Sequence, residues 1–216
     1  MPVRKIPKNY LVVTGSFAGR KNREPNAFES LLEKEYMLLL DFDNSVLHYE
    51  VQPVKIPVPG TPRGYTPDIL IHFKPDPATN FARRPLLAEV KHSEYLTKYE
   101  EKYKPKFSAA EAFVQELDWE FRKVTEIDIR TPRLTNLKFL REYRSVEPST
   151  DDLTLLEEVI CSTEGKATAN QLLQTLAATD DERMYWLPII WHAVISGFFT
   201  TDLNTPISHD SILSQA

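Results

Sequence analysis

The chain of 216 residues has one cysteine, Cys161, so it has no internal disulfide framework. Its five histidines are scattered and show no Cys/His spacing of a structural zinc site. The basic residues near the start are not followed by an apolar segment of signal-peptide kind, so no secretory leader is expected. The longest apolar stretch, Met184 to Phe199, is interrupted by Pro188 and His192 and falls short of the roughly 20 residues that span a bilayer. A buried helix is expected there, and no membrane partner. Together these absences point to a reducing, cytoplasmic setting. What is present, 42% hydrophobic and 11% aromatic residues, is enough to bury a core in one large domain or in a medium one plus a small one.

The net charge of −5 is unfavourable for a protein that neutralises phosphates, but the charge is unevenly spread. Residues 1–146 hold 24 Lys and Arg against 20 Asp and Glu, whereas 147–216 hold 2 against 11. Different partners are expected for the two parts. Arg4, Lys5, Lys8, Arg20, Lys21 and Arg23 precede the first acidic residue, Glu24, as either a solvated basic tail or an arm along a phosphate backbone.

From Asn26, apolar Phe28, Leu31, Leu32, Tyr36 and Leu39 recur near one face of a helix, with Glu29 and Glu33 as neighbours one turn apart. Asp41-Phe-Asp-Asn-Ser breaks it. Strands are expected at Val46–Val51, Val54–Val58, Asp68–Phe73 and Pro85–Lys91, with a turn at Pro59–Gly64. A helix over Ser108–Leu117, a strand over Trp119–Ile127 and a helix over Pro132–Tyr143 complete an α/β domain with a central mixed sheet flanked by helices. The polar segment Glu147–Asp152 reads as a linker. Helices near Leu153–Cys161, Ala169–Ala177 and Glu182–Ser196, closed by a small hairpin, suggest a winged-helix-like α+β unit over 147–216.

Tyr65-Thr-Pro-Asp-Ile-Leu-Ile followed by Leu86-Leu-Ala-Glu-Val-Lys puts Asp68 and Glu89 on two strands, and the alternation of a strand places Glu89 and Lys91 on one face. Carboxylates converging with a lysine suit a hydrolytic Mg²⁺ site: the hard ion takes oxygen ligands, and the ammonium adds charge beside them. Glu33, from the helix, is the additional acid, with Glu29 as its rival. Gln52 reads as a strand-end amide, His92 as a residue of the opposite face, and Cys161 and His192 as core residues.

The collinear set Phe28-Glu-Ser-Leu-Leu-Glu33, Leu39-Leu-Asp-Phe-Asp-Asn-Ser-Val46, Tyr49-Glu-Val-Gln-Pro53, Tyr65-Thr-Pro-Asp68 and Glu89-Val-Lys91 resembles the TnsA endonuclease subunits of heteromeric cut-and-paste transposases, over about residues 1–146. The resemblance implies a restriction-endonuclease-like fold, with Glu33, Asp68 and Glu89 as metal ligands and Lys91 as a further catalytic group. Mg²⁺ is the implied cofactor, with Mn²⁺ as a substitute. Some relatives carry glutamine where this chain has Glu89.

That resemblance also implies a bacterial protein that cleaves the non-transferred strands at the 5′ ends of a transposon. Its implied partners are transposon-end DNA, a DDE-type, TnsB-like transposase that cuts and joins the 3′ ends, and an AAA+, TnsC-like ATPase regulator. Two other readings share these residues: a stand-alone restriction or repair nuclease, and a non-catalytic assembly subunit. The acidic 147–216 part is expected to dock protein, since its charge would repel phosphate.

Overall fold

A computed structural model describes residues 13–216; Arg4, Lys5 and Lys8 of the expected basic arm lie outside the described residues. Strands β1 (Gly15–Phe17) and β2 (Asn26–Phe28) pair antiparallel. Between them, Lys21 is tied down: its ammonium donates to the carbonyls of Asp43 and Val46 (2.8 Å to the latter), and burial holds its pKa down. Lys21 therefore supports the turn that ends the first helix rather than lying free on a tail.

Helix α1 (Leu31–Asp41) starts at Ser30, whose hydroxyl accepts from the Glu33 N–H at 3.1 Å and fills one of the donors a helix start leaves open. The chain ahead of it is extended, so the helix begins five residues later than its composition suggests. Strands β3 (Val46–Val51), β4 (Ile56–Val58), β5 (Thr61–Tyr65), β6 (Ile69–Phe73) and β7 (Leu86–Val90) follow. The expected turn at Pro59–Gly64 is a β4–β5 hairpin in which most of that segment is strand. Gly60 and Gly64 take positive φ there, and a Cβ at Gly64 would sit 2.7 Å from the Ile56 carbonyl oxygen.

Helix α2 (Ser93–Lys98) leads into α3 (Glu100–Glu116). Pro105 and a run of charges hide the first half of α3 from a reading by pattern. It forms because Phe107, Ala110 and Val114 recur at helical spacing and are buried against Leu70 and Leu87 of the sheet and against the β4–β5 hairpin. Strand β8 (Glu120–Val124) and the short α4 (Glu126–Ile129) complete this part. The main sheet has the order β3-β6-β7-β8, antiparallel except for the parallel β7–β8 pair. It is the expected mixed sheet with helices against it, as in restriction-endonuclease-like folds.

The chain divides into two compact units, 1–130 and Thr131–Ala216. Helix α5 (Pro132–Leu140) belongs to the second, although the sequence alone joined it to the nuclease part. Its Leu140 is fully buried among Leu156, Ile160, Ile190 and Trp191, a cluster that no periodicity within α5 could reveal. The shift moves four basic residues, Arg133, Lys138, Arg141 and Arg144, across the boundary, so unit 1 has 20 Lys and Arg against 19 Asp and Glu.

In the second unit α6 (Thr150–Ser162), β9 (Lys166–Thr168), α7 (Ala169–Leu176), α8 (Asp180–Ser196), β10 (Phe199–Thr200) and β11 (Ile212–Gln215) follow α5. The three strands form an antiparallel sheet in the order β10-β11-β9. Capping boxes at Ser149, Thr168 and Thr179 start the three helices, and Gly197 at φ 86° ends α8. Trp186, Trp191 and Phe199 are buried in this unit's core, so they are not free for a partner; Met184 and Tyr185 are exposed. Cys161, expected in the core, is exposed because it lies on the outer side of α6. His192 is half-buried with Nδ1 2.9 Å from the Tyr143 carbonyl. Among the described residues no helix is long and apolar enough to cross a membrane.

Candidate active site

Three of the expected residues meet at the ends of β6 and β7. Asp68 immediately precedes β6, and its main chain is held from both sides, N–H to the Ala88 carbonyl at 3.1 Å and carbonyl from the Gln52 N–H at 2.8 Å. Its Oδ2 accepts from the Val90 N–H at 2.8 Å, which aims the side chain at β7. Glu89 is buried, with Oε2 accepting the Tyr65 hydroxyl at 2.8 Å and Oε1 3.6 Å from Lys91 Nζ. Lys91 follows β7, its N–H bonded to the Val124 carbonyl of the neighbouring strand at 3.0 Å.

The electrostatics follow from burial. Desolvation, then the Glu89 charge, pushes Asp68 up to about 8, and burial likewise raises Glu89. The two carboxyls stand close enough to couple, and as a pair they hold a proton more tightly than two free carboxyls would. Burial alone would lower Lys91, but Asp68 and Glu89 more than offset it and raise its pKa, so it stays an ammonium. Burial and Glu89 push the Tyr65 phenol up, which keeps it a neutral donor.

Glu33 stands back from this group. It is buried on α1 and spends its oxygens on its own helix start, accepting from the Glu29 N–H at 2.8 Å and the Ser30 hydroxyl at 2.9 Å. Burial, then the Asp68 charge, raises it to about 7, so it faces the pair electrostatically. Among the described residues the three-residue set of His and acids whose ligand atoms all lie within 4.8 Å is His48, Glu50 and His72, so Glu33 does not close on Asp68 and Glu89 to that distance. Its rival Glu29 accepts from Gln52 Nε2 at 3.3 Å.

Gln52, buried at the end of β3, takes a left-handed φ of 50°, and its side-chain carbonyl has no hydrogen-bond partner. His92 pairs with Glu126, Nδ1 to Oε2 3.4 Å, away from the carboxylates.

Sequence reasoning missed two contributors. Tyr65 fixes Glu89, and the Tyr-Thr-Pro-Asp run that contains it was a signal in plain view. The second is a row of tyrosines and lysines on α2 and α3. Tyr95 and Tyr99 are exposed and stacked at 6.1 Å, Lys98 and Lys102 lie over the Tyr99 ring at 5.5 and 5.8 Å, and Lys106 lies over Tyr103 at 5.6 Å. The row ends at the site, where the Lys106 charge reaches Glu89 and Tyr103 reaches Lys91. Glu94, Glu100 and Glu101 interleave with it along the chain.

No curated protein matches the chain. Residues 43–126 match the family model of the TnsA-like endonuclease N-terminal domain, a span that contains Asp68, Glu89, Lys91 and the whole tyrosine–lysine row and begins after Glu33. Over those residues the chain is similar to the TnsA-like endonucleases.

Proposed function

We propose that the protein is a Mg²⁺-dependent DNA endonuclease subunit of a transposase, cleaving the non-transferred strands at the 5′ ends of a transposon, with Asp68, Glu89 and Lys91 as catalytic residues. The observation that supports this most is the convergence of two desolvated carboxylates and one ammonium at neighbouring strand ends within the matched domain. Asp68 and Glu89 offer an all-oxygen donor set, and burial with the Glu89 charge already holds Asp68 above the ordinary carboxylate range, an imbalance that a hard divalent cation would relieve. Mg²⁺, or Mn²⁺ in its place, would supply Lewis-acid stabilisation of the developing phosphorane charge and a lowered water pKa.

The chain's own residues do the rest. Val90 N–H and the Tyr65 hydroxyl each hold one oxygen of a carboxylate, which fixes the two acids before substrate arrives. Lys91 presents a fixed positive charge next to the reacting phosphate and can orient the attacking water. Glu33, buried yet bonded to its own helix start, acts as a further ligand or proton acceptor once it turns from Ser30 towards Asp68. The α2–α3 row offers lysines to phosphates and tyrosine faces to the duplex edge, leading the DNA backbone to Glu89.

The second unit is read as a winged helix used for docking. Its order of helix, strand, two helices and two strands, with β11 between β9 and β10, has that connectivity. The acidic residues Asp151, Asp152, Asp180, Asp181 and Glu182 begin α6 and α8, so a basic protein surface fits it better than phosphate. A TnsB-like transposase and a TnsC-like regulator are the partners proposed for it, in a bacterial cytoplasm.

The test is cleavage of end-labelled transposon DNA with the partner transposase in Mg²⁺ or Mn²⁺. Wild type should cut the 5′ ends, whereas Asp68→Asn should leave them intact while 3′ joining by the transposase continues. Full 5′ cutting by Asp68→Asn would overturn the site. Efficient cutting of plain duplex by this chain alone would favour a stand-alone nuclease.

A further inference from the structure

The edge of the main sheet carries a cluster that the cleavage site does not use. His48 and Glu50 are two residues apart on β3 and so stand side by side on one face of the strand. His72, on β6, is the direct antiparallel partner of His48. One ligand atom from each of the three lies within 4.8 Å of the others. His72 Nε2 is 3.2 Å from Glu50 Oε1, and the two imidazoles stack at 4.4 Å with planes 11° apart.

We propose that His48, Glu50 and His72 form a second metal site that takes Zn²⁺ or a similar borderline transition-metal ion. Two imidazoles and a carboxylate are a Zn²⁺ donor set, and imidazole is a poor ligand for the hard Mg²⁺ that suits Asp68 and Glu89. An ion bonded in the plane of each imidazole cannot serve two parallel stacked rings, so one ring turns about its Cβ–Cγ bond on binding. Both histidines are only part-buried, and Glu50 is open to solvent, so the face of the sheet leaves room for that turn. Three ligands from β3 and β6 leave a fourth position for water. The bound ion would clamp edge strand β3 to β6, the strand that begins next to Asp68. The inference rests on strand register and donor chemistry alone and stands independently of the nuclease reading.

Isothermal titration of the full chain with Zn²⁺ at about pH 7.5, in the presence of Mg²⁺, tests it. Wild type and Asp68→Asn should both show one tight Zn²⁺ site. His72→Asn, His48→Asn and Glu50→Gln should each weaken it by about tenfold or more, the scale on which even the outer partners of a metal site count. Glu50→Gln changes an exposed side chain and keeps its shape, so its loss of binding cannot be a loss of fold. Unchanged Zn²⁺ affinity in all three cluster variants, or a site lost only in Asp68→Asn, would overturn the proposal.

Discussion

Replacing Asp68 with asparagine should make the metal-free protein more stable while removing its activity. Asp68 is pushed up to about 8 by desolvation and by Glu89, so at neutral pH the folded state holds a proton that the unfolded chain has released. A raised carboxyl pKa contributes stability that is fully present below the unfolded value near 3.8 and is lost as pH rises through about 8. Each unit is worth ~1.36 kcal/mol, and about three units lie below pH 7. The effective dielectric of a real site, higher than that of a dry interior, reduces that to about 1–3 kcal/mol. Asparagine keeps the acceptor for Val90 N–H and adds a donor for Glu89, so it removes the charge conflict without leaving a buried group unpaired. At about 2–4 °C per kcal/mol for a chain of this size, melting of the metal-free variant should rise by about 2–12 °C at pH 7. The gap should close as the buffer is taken down towards pH 4, where wild-type Asp68 is protonated in both states. A variant that melts below wild type at neutral pH would refute the reasoning. Equal melting at every pH would place Asp68 in bulk solvent.

Lys91→Ala should lower turnover at saturating Mg²⁺ far more than it lowers Mg²⁺ affinity, because an ammonium supplies charge to the transition state and no ligand; the reverse pattern in metal titrations of the cleavage rate would contradict that role. Lys102→Ala combined with Lys106→Ala should weaken DNA binding and reduce the slope of log affinity against log salt by about 1.8, since each phosphate contact adds ~0.9; an unchanged slope removes the α2–α3 row from the DNA path. A chain ending at Arg130 should still melt cooperatively and bind Mg²⁺ but lose pull-down by the transposase and its regulator; full partner binding would refute docking by the second unit.

Much of the nuclease part was legible because its signals are local. Alternation along β7 dictates that Glu89 and Lys91 share a face, whatever packs around them. The strand Val46–Val51 was readable to the residue for the same reason; helices α6, α7 and α8 were readable to within about three residues at their starts, because Ser or Thr caps precede them. Helix α3 was half-hidden because Pro105 and its charges argue against a helix locally, while burial of Phe107, Ala110 and Val114 decides for it. The ownership of α5 was invisible for a related reason: Leu134, Leu137 and Leu140 declare an apolar face but not what covers it.

By itself, then, the sequence determined which residue types could do the chemistry, their order, and which of them share a strand face. Those properties repeat every two or four residues and need no partner. Only the tertiary structure decided that Asp68 reaches β7 through the Val90 N–H, that Tyr65 holds Glu89, that Glu33 turns back to Ser30, and that His48 lies opposite His72. Each of those facts depends on strand register and helix docking across tens of residues, set by what the whole core can bury rather than by any neighbouring residue.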